Sequence, residues 1–172
     1  MGRRINHPHR NKTLYILRGL PGTGKTEKAR DIKRRYGGVI ISADDYHRNG
    51  NGELHIRPEN LNDGHIRARE LALQAMDEGL DPVIIDNTNM SWQEMFPYVV
   101  MGFYRGYWIK FILRKDTFNV SLDKIVRRCP NIPRGKLERM KKRYQSVKHV
   151  YQILWDDDCN WKYRSSIDSW KP

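Results

Sequence analysis

The chain has few cysteines and lacks long apolar runs. Its 172 residues include only two cysteines, Cys129 and Cys159, and neither lies at a metal-ligand spacing. Two isolated thiols make no disulfide framework, so we expect reduced cysteines and an intracellular protein, in the cytoplasm or the nucleus. Apolar runs of at most five residues argue against a membrane-spanning helix. The basic N-terminus precedes no hydrophobic segment, which argues against a secretory signal.

Acidic residues are scarce in two parts of the chain, although the formal net charge of the whole is +12. From Arg114 to Lys148 there are twelve Lys or Arg and three acids, a local balance of +9, and residues 1–12 contain no acid. Such uneven positive charge is typical of a protein with a polyanionic partner. The alternative for residues 114–148 is a solvated basic helix. For residues 1–12 we expect a flexible basic arm.

One motif carries the clearest chemistry. Residues 19–26 read Gly-Leu-Pro-Gly-Thr-Gly-Lys-Thr, between an apolar run at 14–17 and a helix-competent stretch at 27–36, which is the context that a P-loop requires. The glycines let backbone N–H groups and the positive helix end face a phosphate. Lys25 adds a charge against the β and γ oxygens, and the Thr26 hydroxyl is placed to bind Mg²⁺. We predict a nucleoside triphosphate site formed by Gly19, Pro21, Gly22, Thr23, Gly24, Lys25 and Thr26.

Short apolar strands alternate with helices in the rest of the sequence. This pattern is typical of a parallel sheet with helices on both faces, and we therefore predict a three-layer α/β fold of the P-loop NTPase type. After the P-loop helix we expect strands at 39–41, 82–86 and 107–113 and helices at 60–78, 91–105, 120–128 and 134–150. Residues 151–172 can form a final strand and an ordered tail. We divide the chain into the arm at 1–12, a domain at 13–155 and a Trp- and Asp-containing tail at 156–172.

Polar clusters follow three of the predicted strands. The P-loop follows the first, Asp44-Asp45 follows the second, and Asp-Asn-Thr-Asn at 86–89 follows the third. Ligands of open α/β sheets bind at the carboxyl ends of the strands, so we expect these clusters and Lys25 to share one crevice. Phosphoryl transfer needs a phosphate cradle, a cation, a metal anchor and a base. The basic 114–148 segment then fits a kinase lid, and the alternative role for Asp44 or Asp45 is a helix N-cap.

These motifs, together with Arg127-Arg128 and Ile-Pro-Arg-x-Lys-Leu-x-Arg-Met at 132–140, resemble those of the P-loop polynucleotide kinases. The similarity is most specific to the kinase domain of the Nedd-four-binding protein two family and its short relatives, and it runs from about residue 13 to residue 144. The resemblance implies transfer of the γ-phosphate of ATP, with Mg²⁺, to a 5′-hydroxyl of DNA or RNA. The expected partner is thus a nucleic-acid 5′ end, with no membrane partner, and we favour a monomer.

The resemblance also implies roles for single residues. Lys25 and Thr26 match the phosphate lysine and the metal-side hydroxyl, and Asp44 matches the base that takes the proton of the 5′-hydroxyl. A phage member has an arginine after Asp-Asp-Tyr where this chain has a histidine and then an arginine, and the asparagine expected after Arg-Arg is Cys129 here. Asp86, a carboxylate at a strand end, is the second expected metal contact. The lid arginines are Arg127, Arg128 and Arg134, and the expected substrate residues are Asp45, His47, Arg48, Asn87, Thr88 and Asn89.

Two other functions remain compatible with the sequence. Many P-loop kinases share the phosphate cradle and differ in the acceptor pocket, so the acceptor can instead be a small-molecule hydroxyl, on a nucleoside or a sugar. The second alternative is a non-catalytic adaptor or nucleic-acid-binding module whose state depends on bound nucleotide. Transfer to oligonucleotides, transfer to free nucleosides and binding without transfer distinguish the three functions.

Overall fold

The computed structural model describes residues 11–55 and 57–172, so almost all of the arm predicted at 1–12 lies outside the described residues. Within these residues, four parallel strands form one sheet in the order β2-β3-β1-β4. The central strand β1 pairs with β3 on one side and with β4 on the other. The strands are β1 Thr13–Arg18, β2 Val39–Ile41, β3 Val83–Asp86 and β4 Trp108–Leu113.

The alternation of side chains along β1 divides the core between the two faces of the sheet. On one face, Tyr15 and Leu17 pack with Ala29 and Ile32 of helix α1, Lys25–Tyr36. On the other face, Leu14 and Ile16 pack within a larger cluster that includes helices α2, Leu61–Asp77, and α3, Trp92–Tyr104. Helices therefore cover both faces, and the predicted three-layer α/β fold is confirmed.

The basic segment forms three helices over the carboxyl ends of the strands: α4 Asp116–Asn119, α5 Leu122–Arg128 and α6 Arg134–Lys142. The helix expected at 134–150 ends early, at Lys142. Just beyond this end, the Gln145 amide donates to the Met90 carbonyl over 2.9 Å, and the Gln145 side-chain oxygen accepts from the Trp92 amide over 2.9 Å. These bonds to the start of α3 fix the chain in a non-helical path.

The C-terminal residues form short helices, α7 Tyr151–Leu154, α8 Asp157–Lys162 and α9 Ile167–Trp170, so the predicted final strand is wrong. Asp156 starts α8 because its carboxylate accepts from the Cys159 amide over 2.8 Å, a capping bond that a strand would not form. The helices pack on α3, where the Phe96 ring stacks on Tyr163 with centroids 5.6 Å apart. Trp170 and Cys159 are buried in the same core cluster. The boundary proposed at residue 156 stays a prediction.

The cysteines and the lengths of the helices bear on two further expectations from the sequence. Both cysteines are free thiols, with Cys159 buried and Cys129 partly buried. None of the helices found in residues 11–55 and 57–172 is long and apolar enough to cross a membrane.

Candidate active site

The P-loop occupies the turn between β1 and α1. Gly24 caps α1 with φ 82° and Gly22 has φ +71°, a left-handed conformation that favours glycine. A Cβ at Gly22 would lie 2.8 Å from the Cys129 sulfur, so the loop passes too close to the lid for a side chain at this position. The Thr23 hydroxyl donates to the Leu20 carbonyl over 2.7 Å. This bond holds the loop at the positive end of α1, the arrangement that binds phosphates.

Lys25, Thr26 and Asp86 lie together beside this loop. The Lys25 Nζ donates to the Leu20 carbonyl over 2.8 Å, and the Thr26 hydroxyl donates to Asp86 Oδ2 over 2.7 Å. Burial lowers the pKa of Lys25 to about 8, although the Asp86 and Asp44 charges oppose this shift. Burial raises the pKa of Asp86, against the effects of the Thr26 hydroxyl and Lys25. Both charges are therefore poorly solvated and would gain from a phosphate and a metal ion, respectively.

The oxygen atoms of Thr26 and Asp86 fit a magnesium ion. A hydroxyl and a carboxylate are hard oxygen donors, and Mg²⁺ in kinases is held by one or two such protein groups together with phosphate oxygens and waters. The 2.7 Å bond already brings the two oxygens to one point beside the P-loop. The described part of the chain holds no group of three or more His, Cys, Asp or Glu residues placed to bind a metal. The hydroxyl and carboxylate of Thr26 and Asp86 match a metal ion whose other ligands are triphosphate oxygens and waters.

Asp44 and Asp45 follow β2 in a 3₁₀ turn at Ala43–His47. The cap of this turn is Ser42, whose hydroxyl accepts from the Asp44 amide over 3.3 Å, so the alternative in which an aspartate is the N-cap is wrong. Asp45 Oδ1 lies 3.4 Å from the Arg48 Nε. Over residues 11–55 and 57–172, the Asp44 carboxylate has no ion pair and no side-chain hydrogen bond. Asp44 is thus the aspartate whose carboxylate is open to a ligand.

The P-loop and the carboxylates share one cleft of about 950 Å³. The structure brings to its walls the end of the P-loop, the 3₁₀ turn and the residues after β3. It is lined by ten of the sequence-predicted site residues, namely Pro21, Gly22, Lys25, Thr26, Asp44, Asp45, Arg48, Asp86, Asn87 and Thr88. Asn87 also links two elements, because its side-chain oxygen accepts from the Ala43 amide over 2.8 Å.

Other predicted residues lie behind the cleft wall. Gly19, Thr23 and Gly24 shape the P-loop without lining the cleft. His47 is buried against α2, where a Cβ on Gly64 would lie 2.6 Å from its Nε2. Asn89 is also buried, and its amide donates to the Leu17 carbonyl over 2.7 Å. The structure therefore gives His47 and Asn89 packing contacts, and their substrate roles stay predictions.

The three lid arginines do not line the cleft. Arg128 donates to the Gly22 carbonyl over 3.0 Å and to Asp116 over 2.9 Å. Arg134 pairs with the lid acids Asp123 and Glu138. Arg127 is exposed on α5. Of the three, Arg128 is therefore the one that the structure places against the P-loop.

Two arginines beside the P-loop were not singled out from the sequence. Arg114 follows β4, and its Nε donates to the Thr23 carbonyl over 3.2 Å, where its charge contributes to the lowered pKa of Lys25. Arg18, only 2% exposed, donates to the carbonyls of Asn89, Met90 and Gln145 over 2.7 to 2.9 Å. The signal for Arg114 was its place at a strand end. Nothing in the sequence distinguishes Arg18 from an exposed arginine.

The fold and this cleft define a P-loop kinase-like domain. Residues 14–147 match the family described as an AAA domain, and the chain belongs to that family. It is 33% identical to human NEDD4-binding protein 2 over 153 residues, which cover 84% of this chain and 9% of that protein. The family resemblance inferred from the motifs is confirmed.

Two solved structures share the fold. A chain of the Pnkp1/Rnl/Hen1 complex is 25% identical, with a TM-score of 0.53, over 72% of this chain and 41% of that chain. A sugar kinase from Janibacter sp. is 12% identical, with a TM-score of 0.53, over 94% of this chain and 99% of that chain. The likeness to the sugar kinase is one of fold. The chain thus spans less than half of the Pnkp1 complex subunit and a small part of the human protein.

Proposed function

We propose that this chain transfers the γ-phosphate of ATP, with Mg²⁺, to the 5′-hydroxyl end of a DNA or RNA strand. The observation that carries the proposal is the open Asp44 carboxylate in the same cleft as Lys25 and Thr26. The confirmed resemblance to the polynucleotide kinases supports a nucleic-acid acceptor. So does the +9 charge balance of residues 114–148, a segment from which Lys136 lines the cleft.

The P-loop side of the cleft binds the triphosphate. Lys25 exchanges its hydrogen bond with the Leu20 carbonyl for one with a phosphate oxygen, and the poorly solvated ammonium then gains a full negative partner. Thr26 and Asp86 would hold a magnesium ion. When bound, this ion neutralises charge on the phosphate oxygens.

The acceptor reacts on the other side of the cleft. The Asp44 carboxylate takes the proton of the 5′-hydroxyl while the hydroxyl oxygen attacks the γ-phosphorus. The bond from the γ-phosphorus to the bridging oxygen breaks, ADP leaves with the electron pair, and protonated Asp44 later releases its proton to water. Arg128 and Arg134 exchange their acidic partners for phosphate oxygens as the lid closes, which stabilises the charge on the transferred group.

The test is transfer of labelled γ-phosphate to a 5′-hydroxyl oligonucleotide. We expect Asp44→Asn to lower kcat by about 10²–10⁴, since general base catalysis contributes that much. Asp45→Asn is the matched control, because it makes the same change at the neighbouring residue but removes a carboxylate that is paired with Arg48. Unimpaired transfer by Asp44→Asn, or equal losses in the two variants, would remove Asp44 from the mechanism.

A small-molecule acceptor is the second candidate. The supporting observation is the cleft volume of about 950 Å³, which is within the range of small-molecule sites, about 300–1,000 Å³. A panel of 5′-hydroxyl DNA, 5′-hydroxyl RNA, nucleosides and sugars decides between the two. A nucleic-acid acceptor also predicts that KM for the acceptor rises steeply with salt, whereas a neutral acceptor does not. ATP binding with no transfer to any of them would indicate a non-catalytic module.

The free thiols of Cys129 and Cys159 support an intracellular location, in the cytoplasm or the nucleus.

A further inference from the structure

Part of the cleft wall is apolar, although the cleft around it is rich in charge. Leu54 and Leu61 line the cleft and are 44% and 39% exposed. His65 lies in the same wall. We call these three residues the acceptor wall, because they line the cleft together with Asp44. None of them belongs to the P-loop, to the strand-end clusters or to the lid motif.

Helix α2 brings two of these side chains close to Asp44. Gly64 touches the 3₁₀ turn so closely that a Cβ at this position would lie 2.6 Å from the Ala43 carbonyl oxygen. Leu61 and His65 are four residues apart and therefore lie on one face of the helix. Burial lowers the pKa of His65, and the carboxylates of Glu94 and Asp44 oppose that shift. The absence of a side chain at Gly64 thus sets the distance between this helix face and the turn that carries Asp44.

Leu54 reaches the wall from a short loop whose backbone is fixed. Leu54 forms an antiparallel bridge with Arg48. Inside this bridge, the Asn49 side-chain oxygen accepts from the amides of Asn51 and Glu53 over 3.0 and 2.9 Å. These bonds therefore order the backbone of the loop that places Leu54 at the cleft wall.

The chemistry of the wall suits a flat, weakly polar group. Two leucines and an imidazole can pack on the face of a nucleobase, and such packing tolerates every base because each has a π-face. The hydroxyls of a sugar alcohol would find no hydrogen-bond partner on Leu54 or Leu61. A base on this wall has its sugar near Asp44, which is the carboxylate that would take the proton.

A cation lines the same cleft as the acceptor wall. Arg30 lines the cleft and follows Thr26 by four residues on α1, so both lie on one face of that helix. In the described part of the chain, Arg30 has no ion pair and no side-chain hydrogen bond. A guanidinium that no acid neutralises is suited to binding a phosphate.

We propose that Leu54, Leu61 and His65 hold the terminal nucleobase of the acceptor and that Arg30 binds the phosphate on its 3′ side. The acceptor is then an oligonucleotide end of any base sequence. This inference rests on the proposed function, since it concerns the acceptor half of the same cleft.

The main test compares Leu61→Ala with Ile66→Ala. Both residues lie on α2 and both are 39% exposed, but Ile66 does not line the cleft. We expect Leu61→Ala to raise both KM and the dissociation constant for a 5′-hydroxyl oligonucleotide by about ten-fold, as loss of base stacking does. kcat and the KM for ATP should stay within about two-fold of wild type, and Ile66→Ala should change none of these values. His65→Ala should act as Leu61→Ala does, and Leu61→Met should restore most of the affinity.

Two substrate changes sharpen the test. An oligonucleotide whose 5′-terminal residue lacks its base should bind wild type about ten-fold more weakly than the intact strand, and Leu61→Ala should no longer distinguish the two. Arg30→Ala should weaken binding of all sequences equally and reduce the slope of log affinity against log salt by about one. Arg30→Ala should not change the affinity for a nucleoside that lacks a 3′-phosphate.

The outcomes separate this inference from the proposed function. If wild type phosphorylates oligonucleotides and Leu61→Ala matches Ile66→Ala in KM and affinity, the function stands and the acceptor wall is refuted. If wild type binds oligonucleotides through the wall, with weaker binding by Leu61→Ala alone, but transfers no phosphate, the wall stands and the kinase function is refuted. If wild type neither binds nor phosphorylates oligonucleotides, both are refuted.

Discussion

The P-loop and the lid both contact phosphates in the proposed function, but they are held in place by different kinds of interaction. The P-loop is fixed by buried hydrogen bonds, such as that from the Thr23 hydroxyl to the Leu20 carbonyl, and it adjoins the Thr26–Asp86 pair. Two lid arginines, Arg128 and Arg134, instead pair with lid acids at the surface. Arg128 and Asp116 are each more than 40% exposed.

This difference shows which part of the site is preformed and which part can rearrange. A buried donor or acceptor that loses its partner costs about 1–3 kcal/mol, so the P-loop side keeps its geometry before ligands bind. A surface ion pair contributes about 0–1 kcal/mol. Arg128 and Arg134 can therefore leave their acids for phosphate oxygens at little cost, and the four predictions below test this contrast.

The largest effect is expected from the preformed side. Lys25→Met removes the ammonium that faces the triphosphate but keeps a side chain of similar length, and we expect kcat/KM to fall by about 10²–10³, the loss seen when one transition-state donor is removed. The measurement is transfer of labelled phosphate at several ATP concentrations. An unchanged melting temperature is the control for folding. Retention of wild-type activity would contradict the assignment of Lys25 to the triphosphate.

A large loss of stability is expected from Arg18, which ties the end of β1 to the end of the lid. Arg18→Met keeps the apolar stem but leaves three carbonyl bonds unmade, two of them buried and one partly buried. We expect the free energy of unfolding to fall by about 3 kcal/mol or more. Urea denaturation measures this value. Arg105→Met is the comparison, because Arg105 also donates to carbonyls, two in number, but its Nε pairs with the exposed carboxylate of Asp77. A loss below 1 kcal/mol for Arg18→Met would show that its bonds do not anchor the lid.

A smaller effect, on rate rather than stability, is expected from the lid. Arg128→Ala and Asp116→Asn both break the same surface pair, and each should change the free energy of unfolding by less than about 1 kcal/mol. Only Arg128→Ala removes a group that the proposed function assigns to phosphate binding, so we expect about a ten-fold or larger fall in kcat for that variant alone. Equal rates in the two variants would indicate that Arg128 has a structural role only.

The smallest effect concerns the two thiols. Burial, with the Asp156 carboxylate next in effect, raises the pKa of Cys159 to about 12. Its thiol stays protonated in the folded chain while an unfolded thiol ionises near pH 9. The contribution of the protonated Cys159 thiol to the free energy of unfolding is therefore fully present below pH 9 and is lost progressively as pH rises toward 12.

Alkylation at pH 8 compares the buried Cys159 with the partly buried Cys129. Iodoacetamide should label Cys129 and leave Cys159 unmodified, because the thiolate is the reactive form. Saturating ATP should slow the labelling of Cys129, whose sulfur lies against Gly22. Mass spectrometry of peptides measures both rates. Rapid labelling of Cys159 in the folded protein would contradict its burial.

The motifs with local chemistry were predictable from the sequence alone. The P-loop follows from glycines, a lysine and a threonine at fixed spacing, because neighbouring residues determine its backbone and its charge. The alternation of apolar runs and helices predicted the three-layer fold, and the strand-end rule predicted that Asp44 and Asp86 would be near Lys25. These inferences required no knowledge of which strands are neighbours.

The tertiary structure decided the features that depend on distant partners. Only the order β2-β3-β1-β4 puts Arg114 beside the P-loop, and only the packed core shows that Arg18 is buried. The early end of α6 and the helical C-terminus depend on contacts with α3, which local propensity does not encode. The sequence by itself thus determined the phosphate-binding chemistry, and long-range packing decided the shape of the acceptor wall, because its residues come from separate elements that meet only in the folded chain.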